Sequence, residues 1–76
     1  MEFSQLTYEM EGPVALIGLN RPVKRNAISD TMIVELQAAV ARAGSEARDG
    51  ILFGHGDHFS AGLDSAEHPE RTPVQR

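Results

Sequence analysis

The run Val14-Ala15-Leu16-Ile17-Gly18-Leu19 contains no charge and no strong hydrogen-bonding side chain. A strand that is apolar at both alternations is one that needs cover on both faces, as the inner strands of α/β sheets do. Asn20-Arg21-Pro22 closes it, because proline cannot donate to a ladder. Upstream, Leu6-Thr7-Tyr8-Glu9-Met10 alternates apolar and polar residues as a half-buried strand does, and Glu11-Gly12-Pro13 supplies turn chemistry between the two. The pair is predicted to be a hairpin.

Downstream the period changes from two to about three and a half. Met32, Ile33, Leu36, Val40 and Ala43 recur at three- and four-residue spacing, with Ser29 placed to cap the helix and Asp30 complementing its dipole. Gly44 is the expected C-cap, residues 45–50 the connection, and 51–53 a third strand. The small-residue turn Phe59-Ser60-Ala61-Gly62-Leu63-Asp64 follows, leaving through an acidic residue that could begin a second helix. The order is strand, strand, helix, strand and helix start, an α/β arrangement without internal repeat or low-complexity tract.

One amphipathic helix cannot cover both faces of the apolar strand. A chain of 76 residues buries only about 60% of its unfolded surface, and with no cysteine neither disulfides nor a zinc module can compensate. The expectation is therefore that residues 1–76 are the N-terminal part of one domain whose remainder lies outside this chain, and that the chain alone is inactive and unstable. Arg76 ends a polar, proline-containing stretch of the kind proteases nick, so a second chain completing the fold is a natural partner. Eleven acidic against seven basic residues give a net charge of −4, the wrong sign for a surface that attracts nucleic acid. No membrane segment or leader pattern is present in the sequence, and a soluble cytoplasmic protein is expected.

Two linked motifs carry more information than composition. Leu19-Asn20-Arg21-Pro22-Val23-Lys24-Arg25-Asn26-Ala27-Ile28 is followed, at matching distance, by Ile51-Leu52-Phe53-Gly54-His55-Gly56-Asp57-His58-Phe59 and the small-residue turn. From about Thr7 to Asp64 the chain resembles the N-terminal portion of the enoyl-CoA hydratase/isomerase (crotonase) superfamily. The resemblance implies a crotonase-like fold of repeated strand-strand-helix units, assembly as trimers or hexamers, and a lyase or isomerase of fatty-acid metabolism acting on acyl-CoA thioesters. Coenzyme A enters as part of the substrate, and no permanently bound cofactor is implied.

Chemistry on a thioester, at its carbonyl or the adjacent carbon, builds negative charge on the carbonyl oxygen. A preorganised N–H donor to such an oxygen is worth ~2.7–4 kcal/mol. By resemblance the backbone N–H of Leu63 is the first donor of this oxyanion hole, with Gly62 permitting the turn. Ala27, Ala61, Gly62, Leu63 and Asp64 are implied to lie along the CoA site. Lys24 and Arg25 fall where the family meets CoA phosphates, although adjacent basic residues in a loop are as readily just solvated. Asn26 is read as a turn residue bonding its own backbone.

Other readings of these residues are weaker. His55 and His58, with Asp57 and Asp64 near in sequence, lack the spacing of a metal site and read as a solvated loop beside a ligand cleft. Gly54-His55-Gly56-Asp57-His58-Phe59 has phenylalanine where a dinucleotide fingerprint needs its third glycine. Ser60 lacks the first glycine of a nucleophile elbow and reads as a turn residue. The second oxyanion donor and the acid/base carboxylates of hydratases fall outside the chain, so hydratase, isomerase, thioester hydrolase and dehalogenase chemistries stay open. Two other classes also stay open: a non-catalytic acyl-CoA-binding or assembly-only member, and a free-standing interaction domain.

Overall fold

The computed structural model describes residues 2–60 and Gly62. Strand β1 runs Leu6–Glu11, β2 Val14–Leu19 and β3 Asp49–Gly54, with helix α1 at Asp30–Glu46 and a single 3-10 turn at Pro22–Lys24. The sheet order is β1-β2-β3. β1 and β2 form the expected hairpin, antiparallel from Leu6↔Leu19 to Glu11↔Val14 around Gly12-Pro13. β2 and β3 are parallel, from Val14↔Asp49 to Leu19↔Gly54, with α1 as the crossover that a parallel pair requires.

Alternation along β2 turns Ala15, Ile17 and Leu19 to the helix side, where all three are buried. Leu6, Ile17, Leu19, Met32 and Ala39 form the core, joined at its border by Phe3, Tyr8, Ile28, Leu36 and Ala43. Burial of side chains the size of Leu19 or Met32 contributes about 1.5–3 kcal/mol each. The opposite side of β2 departs from expectation among the described residues. Val14 and Leu16 are only half-buried there, while Gly18 is closed over by Thr7, Phe53 and His55.

Helix α1 starts as its sequence dictates. Ser29 has extended backbone angles and its Oγ accepts from the Met32 N–H at 3.1 Å. It does not stop at Gly44, however. The helix continues to Glu46, and Ala47 caps it with a 2.8 Å bond from its N–H to the Ala43 carbonyl. An Arg42–Glu46 ion pair of 2.9 Å and a Ser45 hydroxyl bonded to the Arg42 carbonyl hold the extra turn. β3 likewise begins at Asp49, two residues before the first position expected, because the parallel ladder carries it back to Val14.

A buried acid fastens the helix to the start of the sheet. Glu35 Oε2 accepts from the Ser4 N–H and hydroxyl, both at 2.9 Å, and Oε1 accepts from the Gln5 N–H at 2.8 Å. No helix among the described residues is long and apolar enough to cross a membrane.

Candidate functional site

Parallel strands β2 and β3 end side by side at Leu19 and Gly54. The loops that leave those carboxyl ends, residues 20–28 and 55–62, are where open α/β sheets place ligands. Their construction is what positions the candidate site.

The first loop satisfies its own backbone. The N–H groups of Lys24 and Asn26 donate to the Arg21 carbonyl at 2.9 and 2.8 Å, and those of Arg25 and Ala27 donate to Pro22 and Lys24 at 3.0 Å each. Arg25 and Asn26 are both left-handed, with φ of 53° and 55°. Asparagine tolerates that region and arginine rarely adopts it. Four consecutive amides are thus already committed within the loop. Lys24 and Arg25 can meet a phosphate only through their side chains, which are exposed. Ala27 is half-buried, and its carbonyl accepts from the Arg21 guanidinium at 2.7 Å.

The second loop folds back over its own strand. A Cβ on Gly54 would stand 2.7 Å from the His58 carbonyl oxygen and from Phe59 Cα, so only glycine permits this close approach. His55 is not the solvated side chain that the sequence suggested. Its Nε2 lies 2.8 Å from Thr7 Oγ1 on β1, and its ring meets Phe53 edge-on at 4.9 Å between centroids. Among the described residues no three His, Cys, Asp or Glu side chains come together as a metal site.

Asn26 joins the two loops, in a role the sequence did not reveal. It is fully buried. Its Oδ1 accepts from the Arg21 N–H at 2.7 Å, and its Nδ2 donates to the His55 and His58 carbonyls at 2.9 and 2.7 Å. The turn reading was right in that Asn26 sits in a left-handed bend. Two of its three side-chain bonds nonetheless reach residues about thirty positions away, and no local pattern signals that. Ser60 is the turn residue expected: its Oγ donates to the Asn26 carbonyl at 2.9 Å and accepts from the Gly62 N–H at 3.0 Å. The Gly62 carbonyl in turn accepts from the Ile28 N–H at 2.8 Å, and Gly62 has φ of 90°. Of the candidate site residues, Lys24, Arg25, Ala27 and Gly62 are therefore placed on two interlocked loops, while Ala61, Leu63 and Asp64 lie outside the described residues.

Comparison with known proteins places this arrangement. Residues 9–76 match the family model described as enoyl-CoA hydratase/isomerase. A protein from Rhodobacter capsulatus named probable enoyl-CoA hydratase is 41% identical over 64 residues, covering 84% of this chain and 25% of its own length. Among solved structures, an enoyl-CoA hydratase/isomerase from Mycobacterium paratuberculosis superposes with a TM-score of 0.85 at 38% identity, over 97% of this chain and 29% of the other. An enoyl-CoA hydratase from Thermoplasma volcanium gives 0.80 at 33% identity, over 91% and 28%. The chain thus spans about a quarter of the length of the curated relatives it matches. Its two loops, its parallel strand pair and its crossover helix are those of an α/β crotonase-like fold, and the chain belongs to the enoyl-CoA hydratase/isomerase family.

Proposed function

We propose that this chain contributes one side of an acyl-CoA site in an enzyme of hydratase or isomerase type, with the backbone N–H of Leu63 stabilising the enolate-like oxygen of the thioester. The observation that carries the reading is the fixed Gly62 carbonyl, bonded to Ile28 at 2.8 Å. A trans peptide unit carries its N–H opposite its C=O. In this reading the N–H of the same unit, opposite the anchored carbonyl, is the one offered to the thioester oxygen. Such a donor stabilises the transition state without reorganising when charge develops.

In this reading Ala27, Ala61, Gly62 and Asp64 line the path of the CoA main body, where the alanines and the glycine carry little side-chain bulk. Lys24 and Arg25 reach toward its phosphates from an exposed loop whose own amides are already committed. The second oxyanion donor and the groups that move protons come from the remainder of the enzyme, which also packs on the apolar side chains left open here. The chain alone is then inactive.

Calorimetric titration of the protein with an acyl-CoA thioester, the free acid and NAD tests the proposal. Only the thioester should bind, and Ala61→Trp should obstruct it. Lys24→Ala should weaken binding by no more than about fivefold, since an exposed charged contact is worth at most ~1 kcal/mol. Thioester binding without turnover would favour a non-catalytic acyl-CoA-binding role. Tight NAD binding, or thioester binding untouched by the tryptophan, would remove the basis of the proposal.

A further inference from the structure

The side chain that organises both loops belongs to no group so far assigned to substrate. Asn26 is fully buried and its side chain bonds three backbone groups: the Arg21 N–H and the His55 and His58 carbonyls. Its own carbonyl continues the connection to the Ser60 hydroxyl, from there to the Gly62 N–H, and the Gly62 carbonyl closes the circuit on Ile28, two residues past Asn26. The circuit starts and ends on the 26–28 segment and encloses the turn. A buried amide with a donor and an acceptor each satisfied rigidifies its surroundings, and leaving one partner unmatched costs more than the bond contributed.

We propose that Asn26 is a positioning residue: it pins the 55–60 loop against the 21–27 loop and, through Ser60, holds the Gly62 N–H, so that with the Ile28 bond to the Gly62 carbonyl both sides of Gly62 are fixed. Resting on the oxyanion reading above, this makes Asn26 the group that aims the donor, although it touches no reacting atom. The role is specific to the amide. A carboxylate at the same place would set an oxygen against the His55 and His58 carbonyls while still accepting from Arg21. The Ser60 hydroxyl acts in series with it, so losing either should undo the same lock.

The test compares Asn26→Asp, Ser60→Ala and the double variant in the protein, reading amide exchange at Ile28 and Gly62 together with kcat and KM for an acyl-CoA thioester. Faster exchange at both amides is expected in each single variant, with helix amides of α1 as protected as before. The kcat should fall by about tenfold to a hundredfold, the scale of an ångström's misplacement of a reacting group, with KM within about threefold. Because both substitutions break one circuit, the double variant should lose little more than the worse single one. Should Asn26→Asp fail to fold, Ser60→Ala, which removes only a hydroxyl, decides alone by the same measurements. Unchanged exchange at Ile28 in a folded variant, additive losses in kcat, or a loss confined to KM would overturn the proposal. If the unaltered protein neither binds nor turns over the thioester, the oxyanion reading fails instead, and exchange at Ile28 and Gly62 still decides whether Asn26 holds the turn.

Discussion

Glu35 shows how a single buried charge can be an asset. Burial by itself raises its pKa, but the Ser4 and Gln5 N–H groups, the Ser4 hydroxyl and the Leu6 N–H outweigh that and hold the carboxyl below its ordinary 4.5. A lowered folded value means that the carboxylate form favours the folded state. Its contribution is complete above the unfolded value of 4.5 and is lost as pH falls through the lower folded value. Glu35→Gln should therefore flatten the acid limb of a stability-versus-pH curve. At neutral pH it should cost about 1–3 kcal/mol, because the amide NH2 would confront a backbone donor. Denaturant melts across the acid range check this, and an acid limb as steep in the variant as in the original would place the titration elsewhere. No periodic pattern marks Glu35 as buried. It lies on the same helix face as Met32 and Ala39, and only the position of Ser4 and Gln5 above that face turns a surface acid into an anchor.

Secondary elements were legible wherever local chemistry and packing agreed. The β1–β2 hairpin follows from alternation and a Gly-Pro turn, and the start of α1 from the Ser29 cap. Their ends were less legible because they depend on partners distant in sequence. Gly44 reads as a stop signal, yet the Arg42–Glu46 pair carries the helix past it. Asp49 and Gly50 read as connection, yet pairing with Val14 and Ala15 of β2 draws them into the parallel ladder. The same distinction separates the parts of the candidate site. Gly62 was identified from a contiguous motif, and its positive φ is what that motif implies. The bond of Asn26 to the second loop and the contact of His55 with Thr7 each span some thirty to fifty residues, and spacing alone cannot express them.

Taken together, the three strands and one helix leave apolar surface that the described residues do not cover. Val40, Ile51 and Leu52 are 60%, 53% and 50% exposed, and an open groove of about 580 Å³ runs between α1 and β3 along Leu36, Val40 and Leu52. Exposed apolar residues that adjoin one another in this way mark surfaces that pack on something else. Expressed by itself, the 76-residue chain should therefore melt without a sharp cooperative transition when followed by circular dichroism. A steep, reversible transition of a monomer would instead make it a free-standing domain. The most direct check on the functional account is the kcat of Leu63→Ala against that of Leu63→Pro in the protein. A backbone donor survives the first substitution and is deleted by the second, so the alanine variant should keep most of its activity while the proline variant falls by about a hundredfold or more. Equal losses in the two would contradict the assignment of the Leu63 amide as the oxyanion donor.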